Sequence, residues 1–186
     1  KPPLFIWMQA GSMMIFGVND FAARFPNAII GIATLVSLFA IGKKLADEKL
    51  GMWWALVYAG SWLPHFYFKS GIIDPTFNYF IFLAIYFAYR IAYHAKPYRM
   101  AMLSGLFLGL AVLTKGPVAI LVALLTLLVY WLWNKGRIGI RLVHLGLIAI
   151  FACITTLLWF GYEILAHGWW FVNEFVAYQI RLLTTE

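Results

Sequence analysis

Six apolar runs, at residues 21–42, 51–68, 75–93, 100–114, 117–134 and 142–162, divide this chain, and every charged residue except Arg24 and Arg90 falls outside them. Runs of that length match the roughly 20 residues a helix needs to cross the hydrocarbon layer. A segment inside lipid must satisfy its backbone hydrogen bonds internally, so each run is expected to be helical. The run at 100–114 is short for this purpose and is expected to borrow Thr114, Lys115 and Gly116, with the Lys stem reaching back to the interface. The expected fold class is all-α, a polytopic transmembrane helix bundle, organised as a single membrane-embedded domain over residues 1–186.

Composition agrees. Only 11% of residues are charged and 64% are hydrophobic, with mean hydropathy +0.85. A soluble domain carries about 25% charge. The nine Trp, ten Tyr and sixteen Phe suit a bilayer protein, where aromatic rings collect at the two interfaces. A lone cysteine, Cys153, excludes an intrachain disulfide.

The gaps between runs alternate in charge. One set, around Lys43–Lys49, Arg90–Arg99 and Lys135–Arg141, holds nine basic residues against Asp47 and Glu48, a net +7. The other set pairs Lys1, Arg24, Lys69, Lys115 and Arg181 with Asp20, Asp74, Glu163, Glu174 and Glu186, a net of zero. The whole net charge lies on one side, which the positive-inside rule makes cytoplasmic. The basic residues form no aromatic-interleaved stripe, so no nucleic-acid partner is expected. Lys1 and the tail 163–186 are then expected to face outward, on the same side, after six crossings. The absence of Met at position 1 reads as a piece of a longer protein with an earlier span upstream.

Ahead of the six runs stands Leu4–Phe16, a largely apolar run thirteen residues long, flanked by Lys1, Asp20 and Arg24. A helix of that length covers about 20 Å, short of the hydrocarbon thickness, so it is expected to lie along the surface. The tail 164–186 is expected to form a second such helix, since Phe171, Phe175, Tyr178 and Leu182 recur at helical spacing behind Trp169 and Trp170. Ala101, Gly105 and Gly109 form a small-residue stripe that predicts close helix packing.

Soluble nucleotide and zinc motifs are absent, and His65, His94, His144 and His167 are scattered too widely for a metal cluster. The outward set offers more. Asp74, before Pro75, reads either as a helix N-terminal residue stabilised by the dipole or as a carboxylate aimed into a cavity. Lys69 reads as an interfacial anchor or a phosphate contact. Lys115, in Thr114-Lys115-Gly116-Pro117 with almost no loop around it, reads as an anchor or an anion contact. Arg24 follows Asp20 by four residues, the spacing of an intrahelical ion pair. Arg181 reads as a solvated helix charge or a further cation. Cations among aromatics at a lipid boundary suit a ligand with a phosphate head and an apolar tail. Such a ligand is transported, sensed or chemically altered; the residues alone leave the three open.

The block Lys1-Pro2-Pro3-Leu4, Phe16-Gly17 and Asn19-Asp20-Phe21-Ala22-Ala23-Arg24-Phe25-Pro26 resembles the membrane glycosyltransferases related to protein O-mannosyltransferases and the lipid A aminoarabinose transferase. Asp20 stands where Glu is commoner. Asp74, Thr114-Lys115-Gly116-Pro117 and Tyr178-Gln179-Ile180-Arg181-Leu182 are similar to the same family. The resemblance implies transfer of a hexosyl or pentosyl sugar from a polyprenyl-phosphate carrier to an extracytoplasmic acceptor, in the bacterial inner membrane. It implies that Lys1 contacts the carrier phosphate with help from Lys115 and Arg181, and that Pro2, Pro3, Asp20 and Arg24 belong to the motif. It places the main general base upstream of Lys1, leaving Asp74 to orient the acceptor or a cation, so this piece alone is expected to be inactive. Some members hold a divalent metal; within these residues no ligand set for one is visible, and no other cofactor is indicated. The rivals are a polyprenyl-lipid flippase or transporter subunit and a membrane scaffold, neither of which accounts for the coupled Lys1–Leu4 and Ala22–Pro26 motifs.

Overall fold

The computed structural model describes residues 2–136, 139–170, 173, 174 and 177. Over them the chain is helical, without strands: α1 (Leu4–Phe16), α2 (Asp20–Leu45), α3 (Glu48–Gly60), α4 (Trp62–Lys69), α5 (Asp74–Arg90), α6 (Pro97–Lys115), α7 (Val118–Trp133) and α8 (Leu142–His167). Three of these, α2, α6 and α8, are long and apolar enough to cross a membrane, while α1 and α7 are apolar but shorter. The chain is an integral membrane protein of the all-α class.

Helix α1 has the bounds its apolar pattern predicts. Helix α6 is longer than the run at 100–114, because it opens at Pro97, whose fixed φ and missing N–H suit the first helical turn. Its 19 residues remove the expected shortfall. The run at 51–68 is not one helix. It breaks at Ser61, which is extended with φ −73° and ψ 138°. Pro64 is the physical reason: inside a continuous helix its ring would strike the carbonyl of Gly60, whereas in the first turn of α4 its missing N–H costs nothing. Pro26, by contrast, is retained inside α2 and buried, at the loss of one helical bond to Ala22. The expected tail helix lies outside the described residues for the most part; its first four positions, 164–167, belong to α8, which ends at His167 before Gly168 at φ +72°.

The packing falls into two units. In Pro3–Tyr79, α2 is the central element. A Cβ on its Gly42 would sit 2.6 Å from the Cα of Gly51 in α3, so these two helices meet backbone to backbone. Lower on the same helix, Gly31 faces the Phe68 ring of α4, with its virtual Cβ 2.9 Å from the ring. The second unit, from Phe80 onward, is built on α6 against α8. A Cβ on Gly105 would come within 2.5 Å of the carbonyl oxygen of Ile148, and one on Gly109 within 2.5 Å of the Thr155 side chain. The small-residue stripe therefore makes the close helix packing its spacing predicts, and its partner is α8. Ile91, Met100 and Ala101 are buried beside it, with Phe87, Ile140 and Leu147 packed around them.

Candidate functional site

The motif at the α1–α2 turn has a local physical basis. Gly17 takes φ +78°, a left-handed value that side chains disfavour. Asn19 then serves both helices: its Nδ2 donates to the Phe16 carbonyl at 2.8 Å, and its Oδ1 accepts from the Ala22 N–H at 2.8 Å. The rings of Phe16, Phe21 and Phe25 close over the turn, with centroids 4.8–5.6 Å apart. Ala22 is fully buried, which explains the need for a small residue there. Asp20 and Arg24 are exposed and 4.0 Å apart, a pair that contributes little stability in water. Pro2 and Pro3 are buried at the head of α1, and the Pro3 carbonyl accepts the first helical bond from Trp7.

In the same unit a short loop joins the end of α4 to the start of α5, with exposed Lys69 on one side and half-buried Asp74 on the other. Its carbonyls are held from α2. Asn27, fully buried, donates its Nδ2 to the carbonyls of Ser70 and Ile72, each at 2.7 Å, and its Oδ1 accepts from Thr76 Oγ1 at 3.3 Å. From α1, Gln9 Nε2 donates to the Ala23 carbonyl at 2.9 Å and reaches the Gly71 carbonyl at 3.5 Å. Gly71 is threaded between these groups; a Cβ there would lie 3.3 Å from the Ala23 oxygen and 3.4 Å from Gln9 Nε2. Asp74 opens α5, where the helix dipole favours its charge, and Lys69 closes α4, where the dipole favours a cation.

Lys115 belongs to the other unit. It is exposed at the last residue of α6, and the chain turns at once through Gly116, φ +89°, into Pro117 and α7. Thr114 beside it is fully buried and turns its hydroxyl back to the Leu110 carbonyl at 2.7 Å. The side chain that leaves this tight connection is therefore the lysine. Glu163 is half-buried within α8. Lys1 and Arg181 lie outside the described residues.

Among the described residues no group of three His, Cys, Asp or Glu side chains converges. Inspection of single motifs misses Asn27 and Gln9. The available signal is a carboxamide inside an apolar helix, directly after Pro26, where a polar side chain must find partners.

Fold and site together define an all-helical polytopic membrane protein with a tightly capped, proline-bearing entry segment. Residues 1–160 match the family described as dolichyl-phosphate-mannose-protein mannosyltransferase, and the chain belongs to that family. Among curated proteins it is 25% identical over 185 residues to an uncharacterized protein of Aquifex aeolicus, covering 98% of this chain and 34% of that one. It is 26% identical to the undecaprenyl phosphate-alpha-4-amino-4-deoxy-L-arabinose arabinosyl transferase of Shewanella sediminis, covering 75% of this chain and 26% of the relative. The transferase of the same description from Pseudomonas fluorescens is 30% identical over 159 residues, covering 82% of this chain and 27% of its own length. The chain thus spans about a quarter to a third of the length of these relatives. No solved structure matches it.

Proposed function

We propose that this chain is part of a membrane glycosyltransferase that takes a sugar from a polyprenyl-phosphate carrier and passes it to an acceptor outside the cytoplasm. The family match over residues 1–160, which includes the Lys1–Pro26 block, carries this reading. In it the basic loops face the cytoplasm of a bacterial inner membrane, and the α1–α2 turn, the Ser70–Ile73 loop and the α6–α7 junction face outward.

In the reaction an acceptor heteroatom attacks the anomeric carbon with inversion. The bond from that carbon to the phosphate oxygen breaks, and the polyprenyl phosphate leaves with both electrons. A carboxylate upstream of Lys1 takes the acceptor proton. Lys1, Lys115 and Arg181 hold the carrier phosphate, where a fixed cation is worth more as negative charge develops on the leaving oxygen than in the ground state. Asp74 orients the acceptor or a neighbouring cation.

The test uses full-length protein in liposomes containing a polyprenyl phosphate charged with a radiolabelled sugar. The reading predicts loss of label from the carrier, release of polyprenyl phosphate and labelled acceptor. Movement of intact carrier across the bilayer with no cleavage of the sugar bond would replace it with the flippase.

A further inference from the structure

We infer that Asn27 is a positioning residue for the outward site, acting through the Ser70–Ile73 loop on Asp74; this rests on the glycosyltransferase reading above. Asn27 spends both carboxamide ends on one object. Two N–H bonds of 2.7 Å grip the carbonyls of Ser70 and Ile72, and its oxygen accepts from Thr76. Those three residues bracket Asp74 closely: Ile72 lies two positions before it and Thr76 two after it. Pro75, Thr76 and Phe77, the turn that follows Asp74, are buried. The carboxylate therefore sits on backbone held from both sides by one side chain of α2.

The arrangement also has a direction. Asn27 lies one residue past Pro26, in the helix that the α1–α2 motif initiates, and Gln9 of α1 adds a contact to Gly71 in the same loop. The entry segment and the Asp74 loop are thus joined by carboxamide bonds. An aliphatic residue at position 27 would fill the space and lose the grip. An aspartate would set a carboxylate oxygen against two carbonyls.

The consequence for catalysis is geometric. Misplacement of an orienting group by about 1 Å costs on the order of 100-fold in rate. In full-length protein, Asn27→Ala is expected to lower kcat/KM for sugar transfer by roughly 10- to 100-fold. Thr34→Val serves as control: Thr34 is also buried in α2 but its hydroxyl bonds within its own helix, to Ile30.

A double-mutant cycle with Asp74→Asn is the test. If Asn27 acts through Asp74, the Asn27→Ala loss disappears in the Asp74→Asn background, and Asn27→Ala leaves the KM for the polyprenyl-phosphate sugar unchanged. Multiplicative losses, or equal losses from Thr34→Val, overturn the inference. Full activity of Asp74→Asn overturns the role given to Asp74, and the inference with it. Absence of transfer by the wild type overturns the glycosyltransferase reading instead. Should Asn27→Ala fail to fold, Gly71→Ala displaces the same exposed loop with Asn27 intact, and the same cycle applies.

Discussion

The Nδ2 of Asn27 lies 2.7 Å from the carbonyl oxygen of Ser70, 43 residues further along the chain. A second bond of the same length runs to Ile72. The helix that carries the entry motif thereby fixes the loop that carries Asp74. Replacing Asn27 by Leu leaves two loop carbonyls without their donor and is expected to destabilise the Pro3–Tyr79 unit by about 1–3 kcal/mol. Thermal unfolding of the purified protein in detergent measures this, with Asn19→Ser, a cap-preserving exposed change, expected to cost well under that amount.

The approach of α6 to α8 makes a second prediction. A methyl group on Gly105 meets the Ile148 backbone oxygen, which cannot swing aside, so Gly105→Ala is expected to cost about 1–3 kcal/mol through forced separation of the helices. Gly146→Ala, in α8 with nothing within 4 Å of its Cβ position, is expected to be neutral or stabilising by up to about 1 kcal/mol. Equal melting temperatures for the two variants would contradict the packing.

Gly42 and Gly51 make a third. A Cβ on Gly42 would strike the Gly51 backbone, and one on Gly51 would strike the Phe39 carbonyl oxygen, so Gly42→Ala is expected to disrupt α2–α3 packing, again by about 1–3 kcal/mol. Gly60→Ala, in the same α3 with open space around it, provides the comparison. A cysteine at position 53, exposed on α3, becomes a reporter: its labelling rate in detergent should change with Gly42→Ala and not with Gly60→Ala.

The proposed orientation is tested by labelling. In a Cys153→Ala background, a cysteine at Asn173 is expected to react with an impermeant maleimide added outside intact cells. One at Arg137 is expected to react only after permeabilisation. The reverse pattern would turn the molecule over and remove the outward site.

Much of the fold is legible in the residues because lipid imposes few choices. The bounds of α1 follow from its apolar run and the flanking charges, and the close approach of α6 to a neighbour follows from the spacing of Gly105 and Gly109, though that spacing does not name α8 as the neighbour. Pro64 is harder to read. Its apolar surroundings read as one span, and only the clash of its ring with the preceding turn separates α3 from α4. The site is less legible. Asp74 and Lys115 stand out as charges at helix ends, but the grip of Asn27 on Ser70 depends on residues brought together from two distant helices, which no local pattern encodes. The meeting of Gly42 with Gly51 is hidden for the same reason.

The claim that cations at this face hold a carrier phosphate during sugar transfer is tested most directly at Lys1. In full-length protein in vesicles supplied with a polyprenyl-phosphate sugar, Lys1→Ala is expected to lower transfer on the order of 100- to 1,000-fold. The variant is expected to remain folded in the membrane, with Lys1→Arg retaining part of the rate. Undiminished transfer by Lys1→Ala would contradict the account.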